Sequence, residues 1–183
     1  MAPTGSEHTR LVVIRGNSGS GKSTIARGLR AAHGRGVALI EQDYVRRTVL
    51  REKDVPGAAS IGLVDLMARH ALDAGFHVVV EGILYADRYG PVLTRLVDEH
   101  RGLSRCYYLD VPFATTLRRH ATRPTAAEFE MRAWWRPHDL LPGGTEAVIG
   151  EHSTLRQSLD RILAESGLGE GRPAGGDGPV SRS

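Results

Sequence analysis

Short apolar runs alternate along the chain with segments in which apolar residues recur every three or four positions. Five runs carry the β-branched and aromatic residues typical of strands: Leu11–Arg15, Val37–Glu41, His77–Glu81, Arg105–Asp110 and Ala147–Ile149. Strands that are buried on both faces occur mainly in parallel sheets, where helices connect them and cover the sheet. The alternation therefore predicts an α/β fold of three layers with five parallel strands.

Helical periodicity is clearest in two of the intervening segments. Residues 58–74 place one apolar stripe on a single helix face, made of Ile61, Val64, Ala68 and Ala71. A final helix has a similar stripe, made of Leu155, Leu159, Ile162 and Leu163. Glycine follows each segment, at positions 75 and 167, and glycine is a common helix stop. We predict a helix in each place.

The ends of the chain differ in composition from the middle. Residues 1–9 contain no apolar run, and residues 167–183 consist largely of Gly, Pro and Ser. Such a composition buries too little apolar surface to order itself. We therefore predict a flexible arm at 1–9, one domain at 10–166 and a disordered tail at 167–183.

A phosphate-binding motif follows the first predicted strand. Residues 16–23 read GNSGSGKS and match G-x-x-x-x-G-K-[ST], between a strand and a helix as the motif requires. Glycines let the backbone amides turn toward phosphate oxygens, and the helix N-terminus adds positive potential. The predicted nucleotide-binding residues are Gly16, Asn17, Ser18, Gly19, Ser20, Gly21, Lys22, Ser23 and Thr24.

This motif assigns two roles and excludes a rival. Lys22 is expected to stabilise the β- and γ-phosphates of ATP, and Ser23 to bind Mg²⁺. A dinucleotide-binding G-x-G-x-x-G loop would need a third glycine where Thr24 stands, so we reject that interpretation.

Acidic residues at two other strand ends are candidates for the acceptor side. Asp43 follows the second strand, where a carboxylate could orient an acceptor hydroxyl and take its proton; an ordinary helix N-cap is the alternative. Glu81 closes the third strand and could bind Mg²⁺ through water, contact the acceptor or serve a structural purpose.

These motifs together resemble a known group. The sequence GNSGSGKST, the pattern D-x-x-R at Asp43 to Arg46 and an arginine-rich segment are similar to P-loop kinases of the nucleoside-kinase-like superfamily. The nearest likenesses are chloramphenicol phosphotransferase-like enzymes and the kinase domain of polynucleotide kinases. The resemblance spans about residues 10–165 and implies a five-stranded parallel core, Asp43 as base and Arg46 near the acceptor.

The resemblance also implies an arginine-rich helical lid over about residues 118–140. Lids of this kind bring guanidinium groups over the phosphates and exclude water. Arg119 and Arg123 are the candidates for this catalytic role, with Arg118 in reserve. The pair Arg132 and Arg136 has the same spacing of four residues.

The expected activity is ATP- and Mg²⁺-dependent transfer of the γ-phosphoryl group to a hydroxyl of a nucleoside, sugar or antibiotic. Two alternatives remain: a polynucleotide 5′-hydroxyl kinase, and a regulatory ATPase that transfers nothing to a substrate. The formal charge of +3, without one long basic surface, argues against a nucleic-acid partner. No apolar run is long enough for a membrane span or a signal peptide, so we expect a cytoplasmic protein. The sequence does not define the oligomeric state.

Overall fold

Five parallel strands form one sheet in the computed structural model, which describes residues 2–120 and 132–169 of the 183. The strands are β1 (Arg10–Gly16), β2 (Val37–Glu41), β3 (His77–Gly82), β4 (Leu103–Asp110) and β5 (Glu146–Gly150). Their order across the sheet is β2-β3-β1-β4-β5, and every neighbouring pair is parallel. The predicted five-stranded parallel sheet is confirmed, with strand limits that move by at most two residues.

Helices connect the strands. They are α1 (Lys22–His33), α2 (Gln42–Tyr44), α3 (Ala59–Asp73), α4 (Ala86–Glu99), α5 (Phe113–His120) and α6 (Leu155–Ser166), and a π-helix (Val45–Leu50) follows α2 directly. The segment predicted as helix 58–74 is α3, and the final predicted helix is α6. Across the described ranges, none of these helices combines the length and the apolarity that spanning a bilayer demands.

Helices cover both faces of the sheet because successive side chains of a strand point in opposite directions. Leu11 and Val13 of β1 join the core that α3 and α4 cover. Val12 and Ile14, the alternate residues, join the core that α1 and α6 cover. The result is the three-layer α/β arrangement that continuous apolar strands require.

The N-terminal residues pack against this domain, so the expectation of a flexible arm over 1–9 is wrong for the described residues 2–9. Thr4 is buried, and its Oγ1 donates a 2.9 Å hydrogen bond to Asp73. The hydroxyl of Thr9 is buried as well and bonds to His100 at 2.9 Å. Hydrogen bonds rather than buried apolar side chains hold this segment in place. The low apolar content of the segment therefore does not indicate that it is ordered.

The domain also continues past the predicted limit at 166. Gly167 ends α6 with φ of 70°, and the side chain of Leu168 is buried beneath it. The carbonyl of Leu168 lies 3.0 Å from Nδ1 of His33. Residues 167–169 therefore belong to the fold, while the rest of the predicted tail lies outside the described residues.

Candidate active site

A cavity of about 820 Å³ opens at the edge of the sheet where the strands end. The phosphate loop forms one wall, and the residues after β2 and β3 form another. Residues of α5 and the side chain of Trp134 complete the lining. Ligands of open α/β sheets bind in this position, because the loops at the carboxyl ends of the strands meet there.

The phosphate loop needs glycine for both space and backbone conformation. Gly16 has φ of 147°, and a Cβ atom there would lie 2.8 Å from the carbonyl oxygen of Leu109. Gly21, with φ of 101°, is the residue from which α1 begins. The loop therefore presents backbone N–H groups and a helix N-terminus to the cavity, a combination that binds phosphate oxygens.

Lys22 is buried at the start of α1 and lines the cavity. Its Nζ donates a 3.2 Å hydrogen bond to the carbonyl oxygen of Asn17 within the loop. Burial lowers the pKa of Lys22, while the charges of Glu81 and Asp43 act in the opposite direction. An ammonium group binds an anionic phosphate oxygen more strongly than a neutral carbonyl oxygen. Lys22 can therefore give up its bond to Asn17 and bind a phosphate instead.

Ser23 and Glu81 meet across the floor of the cavity. Ser23 Oγ donates a 3.0 Å hydrogen bond to Glu81 Oε1. Glu81 Oε2 is buried and has no hydrogen-bond partner within residues 2–120 and 132–169. Burial raises the pKa of Glu81, and the nearby charge of Lys22 opposes that rise. A hydroxyl and a carboxylate with an open oxygen are ligands that fit Mg²⁺, which typically keeps several waters and phosphate oxygens. In the described part of the chain, no cluster of three or more His, Cys, Asp or Glu offers another metal site.

Asp43 also lines the cavity and is held by two arginines. Its Oδ1 lies 2.6 Å from Nη2 of Arg46 and 3.0 Å from Nε of Arg47. The capping alternative has no support from these contacts, since Asp43 is inside α2 and the cap residue is Glu41.

The two arginines have different surroundings, and Arg46, which the resemblance places near the acceptor, does not line the cavity. Arg47 lines the cavity. Arg46 is largely buried beside it and also donates to the carbonyl oxygen of Glu52 at 3.3 Å. Both side chains reach the same carboxylate, from the third and fourth positions after Asp43, along the π-helix. Short π-helical segments are frequent at functional sites.

The arginines expected in the lid occupy distinct places. Arg119 Nη1 donates a 3.1 Å hydrogen bond to the carbonyl oxygen of Ser20, and Arg118 also lines the cavity. Arg123 lies outside the described residues. Arg132 stacks over the ring of Phe113 at 4.8 Å.

A second cavity of about 280 Å³ adjoins the first and shares Gly21, Thr24 and Arg119 with it. Most of its remaining side chains are apolar or small and polar: Ile25, Leu109, Val111, Ile149, Ser153, Leu155 and Ser158. An apolar slot beside a phosphate loop has the character of a site for a flat base. The sequence does not indicate that these side chains line a common cavity, because they come from four separate segments and carry no motif.

A cluster of buried charged residues surrounds Arg15, the residue that precedes the phosphate loop. Arg15, the residue before Gly16, is fully buried and binds both carboxylate oxygens of Glu146 at 2.9 and 2.8 Å. It also donates to Asp139 at 3.1 Å and to the carbonyl oxygen of Leu84 at 2.8 Å. Buried charges need partners of this kind, and removing one partner is strongly destabilising. The cluster fixes β1 to β5 and to the loop after β3.

Comparison with known proteins supports a nucleotide-binding site. The family model described as an AAA domain matches residues 11–136. Among curated protein sequences, nothing matches this chain.

Solved structures of kinases share the fold. The APS kinase of Mycobacterium tuberculosis in complex with AMPPNP and APS has a TM-score of 0.67 at 17% identity, covering 88% of this chain and 97% of its own. A sugar kinase from Janibacter sp. HTCC2649 has a TM-score of 0.63 at 20% identity, with 87% and 95% covered. A gluconokinase from Sinorhizobium meliloti 1021 has a TM-score of 0.59 at 16% identity, with 93% and 94% covered. These matches confirm the fold that the resemblance to P-loop kinases implies.

Proposed function

Since the chain belongs to the AAA domain family, we propose that it is an ATP-dependent kinase that phosphorylates a hydroxyl group of a small molecule. The observation that carries this proposal is a single cavity that both the phosphate loop and Asp43 line. A kinase needs both groups in one space, since phosphoryl transfer depends on positioning and on charge stabilisation.

Four side chains that line the cavity act on the nucleotide in this proposal. Lys22 binds the oxygens of the β- and γ-phosphates, where it stabilises the charge that builds up during transfer. Ser23 and Glu81 would hold Mg²⁺, Glu81 through water. Bound Mg²⁺ supplies neutralising charge to the phosphate oxygens. Arg119 adds a further positive charge at the end of the loop, and the sequence suggests the same role for Arg123.

Asp43 orients the acceptor hydroxyl and accepts its proton as the oxygen attacks phosphorus. Because both arginines bind Oδ1, we assign the proton to Oδ2. Arg47 replaces Arg46 as the residue that contacts the acceptor, since Arg47 lines the cavity. This arrangement suits an acceptor with an anionic or hydrogen-bond-accepting group near the reacting hydroxyl.

ATP is the nucleotide that the second cavity favours. The N–H groups of guanine can donate hydrogen bonds to a carboxylate. No Asp or Glu within the described parts of the chain lines this cavity, so guanine would find no such acceptor there. Its apolar walls, which include Ile25 and Leu109, provide a surface for an adenine ring.

The size and walls of the acceptor end support a nucleoside, a sugar or an antibiotic as substrate. Trp134 and Ile83 supply apolar surface to the cavity that Asp43 also lines, and the whole cavity measures about 820 Å³. Small-molecule sites combine such apolar walls with a few polar groups that fix orientation.

The experiment uses the full chain with γ-labelled ATP, Mg²⁺ and panels of nucleosides, sugars, antibiotics and 5′-hydroxyl oligonucleotides. We expect label in a small molecule, with an acceptor KM that changes little with salt and rises in Arg47→Ala. Label confined to oligonucleotides would contradict the proposal, and six phosphate contacts would then weaken binding by about 10³-fold between 50 and 200 mM salt. Hydrolysis of ATP without any labelled acceptor would instead favour a regulatory ATPase.

A further inference from the structure

The side chain of Asn17 binds a distant stretch of backbone rather than the cavity. Its Oδ1 accepts a 2.9 Å hydrogen bond from the N–H of Arg136, and its Nδ2 donates a 2.7 Å bond to the carbonyl oxygen of the same residue. The carboxamide is buried, and it pairs with the backbone N–H and C=O of a single residue through both an acceptor and a donor. Asn17 is absent from the cavity lining, although its neighbours in the phosphate loop form part of that lining.

Tyr85 also forms a hydrogen bond with this stretch of backbone. Its buried hydroxyl donates a 2.6 Å hydrogen bond to the carbonyl oxygen of Trp134. The guanidinium of Arg136 lies 4.0 Å from the centre of the Tyr85 ring and pairs with Asp87 at 2.9 Å. The backbone of 134–136 is thus attached to the phosphate loop through Asn17 and to the segment after β3 through Tyr85.

This attachment determines where one wall of the cavity stands. Trp134 lines the cavity and is 37% exposed. The next residue, Trp135, packs away from it with its ring 5.8 Å from that of Phe113. Since hydrogen bonds fix the carbonyl group of Trp134 and the backbone of Arg136, a shift of that backbone would move the Trp134 ring within the cavity.

We propose that Asn17 is a positioning residue for the acceptor: with Tyr85 it fixes the 134–136 backbone and so places the Trp134 wall. Asn17 therefore controls acceptor affinity more than ATP affinity, although it belongs to the phosphate loop. The kinetic part of this inference rests on the proposed kinase function. The structural part, the placement of Trp134, does not.

The first test follows Trp134 directly and needs no activity. In full-length protein carrying Trp135→Phe, acrylamide quenching of fluorescence reports the accessibility of Trp134 alone. We expect Asn17→Ala and Tyr85→Phe each to raise the quenching constant, by up to ~2-fold as the local structure opens. Tyr107→Phe is the matched control, because it removes another buried tyrosine hydroxyl, bonded to Glu165, on the opposite face of the sheet. The control should leave quenching unchanged.

The second test separates the acceptor from ATP. With a hydroxyl acceptor from the small-molecule panel, Asn17→Ala and Tyr85→Phe should raise the acceptor KM by roughly 3- to 30-fold, the effect of losing one or two hydrogen bonds. The Kd of MgATP should change less than the acceptor KM. The double variant should lose less than the product of the two single effects, because both residues hold the same segment.

Two results would overturn the inference. One is an unchanged quenching constant in both variants; the other is a loss of MgATP affinity in Asn17→Ala that exceeds the loss for the acceptor. Tyr85→Phe keeps the ring and its packing, so it tests the attachment even where Asn17→Ala unfolds. An absence of transfer to any small molecule would contradict the proposed function, while quenching would still decide the placement of Trp134.

Discussion

Ser23 and Glu81 are joined by a 3.0 Å hydrogen bond from the hydroxyl of one to the carboxylate of the other, with the second carboxylate oxygen buried and open. Ser23 is the second residue of α1, and Glu81 lies near the end of β3. The phosphate loop and the central sheet thus supply the two protein groups that would hold Mg²⁺, Ser23 directly and Glu81 through water.

Glu81→Gln removes this negative charge while keeping the shape of the side chain. We expect the free Mg²⁺ concentration for half-maximal rate to rise by about 10- to 100-fold, the usual effect of losing a group that holds a metal through water. Initial rates against free Mg²⁺ at saturating ATP measure it. Glu41→Gln is the control, since Glu41 pairs in register with Glu81 but binds Arg27 outside the cavity. Equal Mg²⁺ dependence in both variants would return Glu81 to a structural or acceptor-binding role.

Asp43→Asn tests the acceptor base. The amide can still occupy the space but does not take a proton, so we expect kcat to fall by about 10²- to 10⁴-fold with MgATP affinity close to normal. Steady-state kinetics and a direct titration with MgATP give the two quantities. Asp65→Asn, which removes a carboxylate paired with Arg69 on α3, is the control. A loss confined to ATP binding would show that Asp43 serves the nucleotide.

Acid should destabilise the protein through His77. Burial, with the charges of His33 and Arg10, lowers the pKa of this histidine from 6.5 to about 4, and its Nδ1 accepts a 3.1 Å bond from the N–H of Arg10. At a pH between these two pKa values the unfolded chain binds more protons than the folded chain, so the free energy of unfolding falls as the pH decreases. Melting temperature against pH should therefore drop more steeply below pH 6.5 in wild type than in His77→Asn. Parallel curves would exclude His77 as the source.

The limit of the domain can be tested by two truncations. Ending the chain after Ser166 removes Leu168, which is buried beneath α6, and should lower the free energy of unfolding by about 1.5–3 kcal/mol. Ending it after Gly169 keeps that side chain and should leave stability unchanged. Urea unfolding of both proteins gives the difference. Equal loss in the two truncations would mean that residues beyond 169 contribute.

The sequence reveals those parts of the molecule that depend on local pattern. The strands could be located because β-branched runs such as Val78–Val80 are buried on both faces, and the phosphate loop because glycine is required at positions such as 16 and 21. Both signals lie in consecutive residues. They were sufficient to predict the sheet and the strand edge where the cavity opens.

Features that depend on contacts between distant residues could not be predicted. Thr4 is ordered by Asp73, and Asn17 by the backbone of Arg136; neither partner is indicated by a motif. The resemblance implies that Arg46 lies near the acceptor, but both arginines reach Asp43, and of the two only Arg47 lines the cavity. Polar side chains find such partners only in the folded chain.

The balance between ADP and phosphorylated acceptor tests the central claim most directly. Both products are measured with and without the acceptor, in wild type and in Lys22→Ala. The kinase account predicts that ADP formation depends on the acceptor, with one phosphorylated acceptor for each ADP, and that Lys22→Ala is slower by ~10²-fold or more because it loses charge stabilisation. Formation of ADP at the same rate without an acceptor, and with no phosphorylated product, would contradict it.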